Sequence, residues 1–140
     1  MKNYEYYGVF LSEAEKTKLL LASSSVITEH TSKSGWALNP RIYATHCTIM
    51  HRANSKSNEE FANILDMFLG CNVQFKVVGF GHSDKAIAAL VDIPSFNTKS
   101  HITIAVAPDA KPVDSNKITD WTMLDEPFEL IGTFQVICRS

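Results

Sequence analysis

The 140-residue sequence has no long apolar run and no visible secretory signal. Its longest apolar stretches, 86–91 and 102–108, are far shorter than the ~20 residues that a membrane-spanning helix needs. The N-terminus carries no apolar segment of the kind that directs secretion. We therefore expect an intracellular protein, cytoplasmic or nuclear, with no membrane partner.

The sequence also has no surplus of charge of one sign and no cysteine pair at metal-binding spacing. Thirteen basic and fifteen acidic residues give a formal net charge of −2. A surface of this kind offers no broad basic footprint for duplex DNA, so a phosphate-bearing substrate must bind at a small, local site. Cys47, Cys71 and Cys138 form no C-x-x-C pair, which is in keeping with a reduced compartment. No His, Cys and carboxylate set has zinc-ligand spacing, and we expect neither a metal nor a cofactor.

What is present is the composition of an ordinary folded domain. Hydrophobic residues make up 45% and charged residues 20% of the chain, and this length can bury a core. No repeat, low-complexity tract or linker divides it. We expect a single domain over 1–140, acting alone or as part of a larger protein, and a monomer.

Local patterns predict strands that alternate irregularly with helices. Aromatic and β-branched residues predict strands over 4–11, 43–51, 73–80, 85–93, 101–106 and 128–137. Ser12 and Glu15 form a capping box, which predicts a helix from Ser12 to about 21–23 and a loop over 23–40. Asn58 opens a second helix that ends at Gly70, and a short helix capped by Asp114 or Ser115 is expected within 112–121. The order indicates an α+β fold on mainly antiparallel sheets with flanking helices.

Two segments of the sequence share one pattern, His46-Cys47-Thr48-Ile49 and His101-Ile102-Thr103-Ile104, and both lie in predicted strands. Because side chains alternate along a strand, the His and the Thr of each segment point to the same face. Cys47 and Ile102 then point to the opposite, packed face, which removes Cys47 from the candidate nucleophiles. If the two strands are neighbours, two imidazoles and two hydroxyls line one polar groove.

Such a groove suits the cleavage of a phosphodiester. Imidazoles titrate near neutral pH, so His46 and His101 can act as general base and general acid on one phosphorus centre. The hydroxyls of Thr48 and Thr103 can donate hydrogen bonds to non-bridging oxygens, where charge builds up in the transition state. A single His-x-Thr is common on a half-exposed sheet face, whereas two copies in one short chain favour a function over coincidence.

At these motifs the sequence resembles the 2H phosphoesterase superfamily, which is named for two His-x-Thr/Ser motifs. The segments 101–108 and 111–116 are most similar to the cyclic phosphodiesterase domain of plant- and fungal-type tRNA ligases. The resemblance implies a bilobal, pseudo-two-fold fold in which both motifs lie on central strands that face a cleft. It also implies metal-independent hydrolysis of 2′,3′-cyclic phosphate ends to a 2′-phosphate, with an RNA 3′ end or a small cyclic nucleotide as partner.

Carried onto this chain, the resemblance makes His46 and His101 the catalytic pair and Thr48 and Thr103 the phosphate-binding residues. It does not assign the acid and the base; we expect His101 to activate water and His46 to protonate the leaving oxygen. Alternative substrates are 2′-5′ oligoadenylates and ADP-ribose cyclic phosphate. A non-catalytic RNA-end binding module is a further alternative, as is a structural adaptor in which the repeated motif is coincidental.

Five other residues are candidates for contacts to a base or a phosphate. Tyr6 and Tyr7 alternate on the first strand, so one of them faces the groove and can stack on a base. Arg41 and Lys99 lie at the edges of the motif strands, where either can neutralise a phosphate. His82 lies in a predicted hairpin loop and can reach over the cleft.

The remaining histidines and the tryptophans receive weaker assignments. His51 follows His46 by five positions and is expected on the opposite face of the strand. His30 falls in the predicted serine-rich loop and has no assigned role. Trp36 and Trp121 flank loops, where either can close a lobe or stack on a base.

Overall fold

The computed structural model describes residues 3–34, 41–54 and 57–138, and within them an antiparallel sheet dominates. Its strands are β1 (Tyr4–Leu11), β2 (Arg41–Ile42), β3 (His46–His51), β4 (Asn72–His82), β5 (Ala86–Val91), β6 (His101–Val106) and β7 (Asp120–Cys138). The order β6-β3-β1-β7-β4-β5 returns from β5 to β6, which closes a six-stranded barrel with β2 as an extra strand on β6. The predicted α+β class on an antiparallel sheet is confirmed, whereas the bilobal, pseudo-two-fold arrangement stays a prediction. Trp36 lies outside the described residues.

Helix α1 (Glu13–Ser34) begins where the capping box predicts and continues well past the predicted end. The Ser12 hydroxyl accepts the Glu15 backbone N–H at 3.3 Å. The expected loop after residue 23 is wrong as far as Ser34, because the serines adapt to the helix. The hydroxyls of Ser23 and Ser24 donate to carbonyls of the preceding turn, at 2.8 Å and 3.0 Å, which removes their competition with the helical backbone.

Two shorter helices complete the described chain. In α2 (Glu59–Asp66), the side chain of Asn58 accepts the Phe61 N–H at 2.8 Å, as expected of its cap, and turns then lead to Gly70. The short helix expected within 112–121 is a 3₁₀ helix over Pro112–Lys117. Lys111 rather than Asp114 or Ser115 occupies the N-cap position, but the Asp114 carboxylate reaches back from inside the helix and accepts the Lys111 N–H at 3.0 Å. Within the described ranges, no helix combines the length and the apolar character needed to cross a bilayer.

Strand β7 is much longer than predicted, since it begins at Asp120 rather than near Phe128. Its first half is rich in acidic residues and contains Pro127, so its composition is poor for a strand. Pairing with β4 stabilises the strand on both sides of an irregularity: it runs from Asn72–Thr133 to Val77–Phe128 and resumes from Gly79–Met123 to His82–Asp120. Residues 124–127, with Pro127, bulge out of the ladder between the two parts. The same pairing carries β4 to His82, so the predicted hairpin loop is shorter than expected.

The core occupies one face of the central strands. Val9 pairs with Cys47 and Cys47 pairs with Ile102, and all three are at most 1% exposed. On the same face Tyr7 is 1% exposed and donates its hydroxyl to the Asp66 carboxylate of α2 at 2.6 Å. This face therefore packs beneath the helices, which leaves the opposite face of β3 and β6 for the motif side chains.

Candidate active site

The sheet register brings the two His-x-Thr motifs side by side. Strands β3 and β6 are antiparallel neighbours, and Cys47 pairs directly with Ile102. That register sets His46 across from Thr103 and Thr48 across from His101, because side chains alternate in step along paired strands. We call the face that carries these four residues the motif face. The predicted orientation is confirmed, since Cys47 and Ile102 are fully buried on the other face.

Strand β1 lies next to β3 and places a glycine and an aromatic side chain beside the first motif. Gly8 pairs with Thr48, and Phe10 pairs with His46. A Cβ at Gly8 would lie 2.9 Å from the Cys47 carbonyl oxygen and 3.5 Å from Cδ2 of His46. Glycine is therefore required for the close approach of β1 to the first motif.

Aromatic stacking holds the ring of His46. The rings of Tyr6 and Phe10 each lie with their centroids 4.9 Å from its centroid, inclined by 20° and 22°. Its Nδ1 lies 2.9 Å from the Thr45 hydroxyl. Burial, together with the nearby His101, lowers the pKa of His46 to about 4. The imidazole is thus neutral at pH 7 in the free protein.

Hydrogen bonds hold the ring of His101 instead. Its Nδ1 lies 2.8 Å from the Lys99 carbonyl oxygen, which can only accept, so Nδ1 carries a hydrogen. Its Nε2 lies 2.9 Å from the Ser115 hydroxyl. Burial lowers the pKa of His101, against a smaller opposing effect of the Lys99 carbonyl. The neutral ring therefore carries its lone pair on Nε2, the atom that a general base uses.

Ser115 connects His101 to the second motif threonine. It is 2% exposed, and its Oγ lies 2.7 Å from both the Thr103 hydroxyl and the Pro112 carbonyl oxygen. The single Ser115 hydrogen can go to Nε2 of His101 or to Pro112, but not to both. The Pro112 carbonyl can only accept, so it takes the hydrogen when Nε2 is protonated and donates to the Ser115 oxygen, whereas a neutral Nε2 and Pro112 are alternative acceptors.

Thr48 differs from Thr103 in this respect. It is partly exposed on the motif face beside Gly8. Across the described part of the chain, its hydroxyl makes no hydrogen bond, whereas that of Thr103 contacts Ser115. Thr48 is thus the motif hydroxyl that is open to a ligand.

A pocket of about 530 Å³ adjoins His101 and Ser115. Phe96, Lys99 and Trp121 contribute to its walls, and the Trp121 ring centroid lies 6.4 Å from that of His101. We call it the side pocket. It places an open volume directly against the second motif.

The two tyrosine candidates lie on opposite faces of β1, as the alternation of side chains along a strand requires. Tyr6 lies on the motif face against His46. Tyr7 lies in the core, where burial and the hydrogen bond to Asp66 raise its pKa, so its assignment as a base contact is wrong.

Of the three charged candidates, the structure brings Lys99 to the site. Arg41 pairs with Val106, on the core-facing side of β6, and its guanidinium donates to the Ala110 carbonyl. His82 ends β4 and lies 3.7 Å from the Asp120 carboxylate. The contacts of Arg41 and His82 are therefore made away from the motif histidines, and their contacts to a base or a phosphate stay predictions.

His51 lies on the motif face, so its expected orientation is wrong. Tyr7 pairs with Met50 and Gly8 with Thr48, which leaves Ile49 as a bulge residue. The extra residue turns the His51 side chain to the face that carries Tyr6. The two rings stack there with their centroids 6.2 Å apart. His51 pairs with the Glu5 carboxylate at 3.5 Å.

His30 and Cys47 are both buried away from the motif face. His30 lies in α1 rather than in a loop, and its Nε2 contacts the Ser83 carbonyl oxygen at 2.6 Å. Burial raises the pKa of Cys47 to about 12, which keeps the thiol protonated. In the described ranges, no three His, Cys, Asp or Glu side chains are grouped so that they could hold a metal ion.

Sequence reasoning missed two of the residues that hold the motif histidines, Phe10 and Ser115. Phe10 follows Tyr6 at an even spacing on one strand, so alternation alone could have placed it beside the first motif. Ser115 had no comparable signal, because only the fold of the 3₁₀ helix against β6 aims it at His101.

Comparison with known proteins shows similarity in structure alone. No protein-family model and no curated protein sequence matches the chain. A chain in the structure titled "Crystal Structure of Fungal RNA Kinase" is similar, with a TM-score of 0.68 and 18% sequence identity. The match covers 99% of the present chain and 46% of the fungal one. The present chain thus has the fold of a part that spans less than half of that protein.

Proposed function

We propose that this protein is a metal-independent phosphodiesterase that hydrolyses 2′,3′-cyclic phosphate ends of RNA, with His46 and His101 as its catalytic acid and base. The observation that carries the proposal is the pairing of Cys47 with Ile102, which lines up both motifs on one face of adjacent strands. Two neutral imidazoles and an open threonine hydroxyl around one groove can serve a phosphodiester without a metal ion.

The proposed reaction divides its proton transfers between the two histidines. Water attacks the phosphorus while its proton passes to Nε2 of His101, whose Nδ1 is already protonated toward Lys99. The bond from phosphorus to the 3′ oxygen breaks, and protonated His46 gives its proton to that oxygen. The product is a 2′-phosphate. An anionic phosphate bound beside His46 favours its protonated form.

Ser115 acts in this scheme as a positioning residue. In the free protein it occupies Nε2 of His101, and the Pro112 carbonyl at 2.7 Å is a second acceptor for its hydrogen. Turning toward Pro112 releases the lone pair of Nε2 without leaving a buried hydroxyl unpaired. The open hydroxyl of Thr48 and that of Thr103 hold the non-bridging phosphate oxygens, where they stabilise developing charge.

The resemblance to 2H phosphoesterases supports the choice of substrate. Any antiparallel pair has a local two-fold relation, and here it relates the motif of β3 to that of β6 about the Cys47–Ile102 pair. This local relation is in keeping with the pseudo-two-fold fold of that superfamily. The structural neighbour is titled an RNA kinase, which favours RNA ends over other phosphodiesters. We propose that residues 1–140 form a single 2H phosphoesterase-like domain, acting alone or as part of a larger protein.

The test is hydrolysis of 2′,3′-cyclic nucleotides in excess chelator by the wild type, His46→Ala and His101→Ala. Each variant should lose ~10²–10⁴ in kcat, the usual contribution of a general acid or base. His82→Ala is the matched control, because that histidine pairs with Asp120 outside the site. Activity that disappears in chelator, or variants that retain it, would contradict the mechanism.

The same preparation distinguishes the substrate alternatives. Turnover of 2′-5′ oligoadenylate or ADP-ribose cyclic phosphate in preference to cyclic ends would reassign the substrate and keep the mechanism. Binding of cyclic ends without turnover by the wild type would leave an RNA-end binding module.

A further inference from the structure

We propose that the side pocket binds the base and 5′ phosphate of the terminal nucleotide, a role that rests on the proposed function. The pocket shares His101 with the motif face and is also lined by Ser115, the contact of His101 Nε2, so a ligand in the pocket has its neighbouring group at the reacting position. Its volume of about 530 Å³ is that of a small-molecule site and accommodates a single nucleotide.

Two aromatic rings in the wall are held in place before any ligand arrives. The indole N–H of Trp121 donates to the Ile118 carbonyl at 3.2 Å, and the ring covers Gly81, where a Cβ would collide with it. The Phe96 backbone N–H donates to the Ile49 carbonyl at 2.9 Å, and its ring meets Phe61 edge-on at 5.2 Å. Fixed rings lose little conformational entropy when a base stacks on them.

Polar groups of the wall match the rest of a nucleotide. Asn97 and Asn116 line the pocket, and amides offer the donors and acceptors that base edges need. Asn54 also lines it, but its amide donates to the Phe96 carbonyl at 3.2 Å. The side chain of Lys99 is exposed at the same pocket. Because the Lys99 carbonyl contacts His101, its ammonium group is tethered close to the reacting centre and suits the phosphate 5′ to the terminal nucleoside.

The first experiment measures binding rather than turnover, by calorimetry with adenosine 2′-monophosphate and with ribose 2-phosphate, which lacks the base. Wild type should bind the nucleotide about tenfold more tightly than ribose 2-phosphate, because stacking of a base on an aromatic ring adds binding free energy of that order. Trp121→Leu should lose this difference, and Trp121→Phe, which keeps a flat ring, should retain most of it. Equal binding of the two ligands by the wild type would overturn the proposal.

The second arm tests the lysine with adenosine 2′,5′-bisphosphate. Lys99→Ala should weaken binding of the bisphosphate severalfold and leave adenosine 2′-monophosphate unchanged. Lys111→Ala is the matched control, because Lys111 is also exposed but lies outside the pocket walls. An equal effect of both lysine variants would reject a specific phosphate contact.

These experiments distinguish a variant that fails to fold from one that fails to bind, and a failure of the pocket from a failure of the enzyme. If Trp121→Leu does not fold, titration of the wild type decides the matter: the Trp121 indole N–H resonance must shift with the nucleotide and not with ribose 2-phosphate. A protein that binds the nucleotide through Trp121 without turning over cyclic phosphates would keep the pocket and reject the enzyme. A protein that hydrolyses base-free cyclic phosphate as fast as the nucleotide would keep the enzyme and reject the pocket as a base-binding site.

Discussion

His46 and His101 occupy the same position in the same three-residue pattern, yet different contacts hold their rings. His46 is stacked against Tyr6 and Phe10, and its Nδ1 faces a hydroxyl that can donate or accept. His101 is fixed at both nitrogens, by the Lys99 carbonyl and by Ser115. The first ring can adopt either tautomer or be protonated, whereas Nδ1 of the second must carry a hydrogen.

A duplicated motif therefore does not supply two equivalent groups. The carbonyl beside His101 leaves Nε2 free to accept a proton, which suits a base. The partner of His46 tolerates both forms of the ring, which suits an acid that must give up a proton and regain it.

The largest expected effect is the pH dependence of the reaction. Burial lowers the pKa of both histidines, that of His46 to about 4, and the mechanism needs one ring protonated and one neutral. Above both pKa values, the protonated fraction of the acid falls with each unit of pH. We expect kcat/KM to peak on the acid side of neutrality and to fall about tenfold per unit above the peak. A kcat/KM that stays level or rises between pH 6 and 8 would contradict this.

The loss of the Ser115 contact to Nε2 of His101 should lower activity more than the loss of the Thr45 contact to Nδ1 of His46. Ser115→Ala should lower kcat about tenfold, near the value of one buried hydrogen bond, because it removes the group that positions Nε2 of His101. Thr45→Val should cost about half as much free energy of activation or less, because stacking still holds His46. The positioning role requires that Ser115→Ala shift the His101 Nε2 resonance in a nitrogen NMR spectrum. An unchanged resonance would leave Ser115 a purely structural role.

Removing one ring of the aromatic stack should change the pKa of His46 and leave that of His101 unchanged. Tyr6→Leu exposes a face of the His46 ring, so its pKa should rise from about 4 toward the ordinary value. The pKa of His101 should stay where it is, since none of its described ring contacts involves Tyr6. Titration of the imidazole C–H signals by NMR measures both values, and equal shifts would deny the contrast.

The last expected effect is on the free energy of unfolding in acid rather than on the reaction. The folded pKa of His46, about 4, lies below its unfolded value, so the unfolded chain binds more protons between about pH 6.5 and 4. The free energy of unfolding should therefore fall as the pH is lowered through this window, and His46→Gln should lessen the fall. His101→Gln should lessen it by a smaller amount, because the Lys99 carbonyl opposes the lowering of its pKa. Urea unfolding at several pH values gives these differences, and wild-type and His46→Gln curves that run parallel would refute the assignment.

Predictions from the sequence succeeded where local rules decide the outcome. Alternation placed His46 and Thr48 on the face opposite Cys47, and Asn58 capped its helix as its side chain permits. They were wrong where a distant partner intervenes. The bulge at Ile49 turned His51 to the motif face, and pairing of 120–123 with β4, beyond the bulge at 124–127, extended β7.

The linear order of residues determined which groups each motif strand presents, because the two-residue period of extended chain needs no partner. Only the folded sheet decided that Cys47 lies against Ile102, and thus that both imidazoles share a groove. It also decided that Ser115 meets His101. Such contacts join segments far apart in the chain, and the packing of the whole closed sheet selects their register rather than any neighbouring residue.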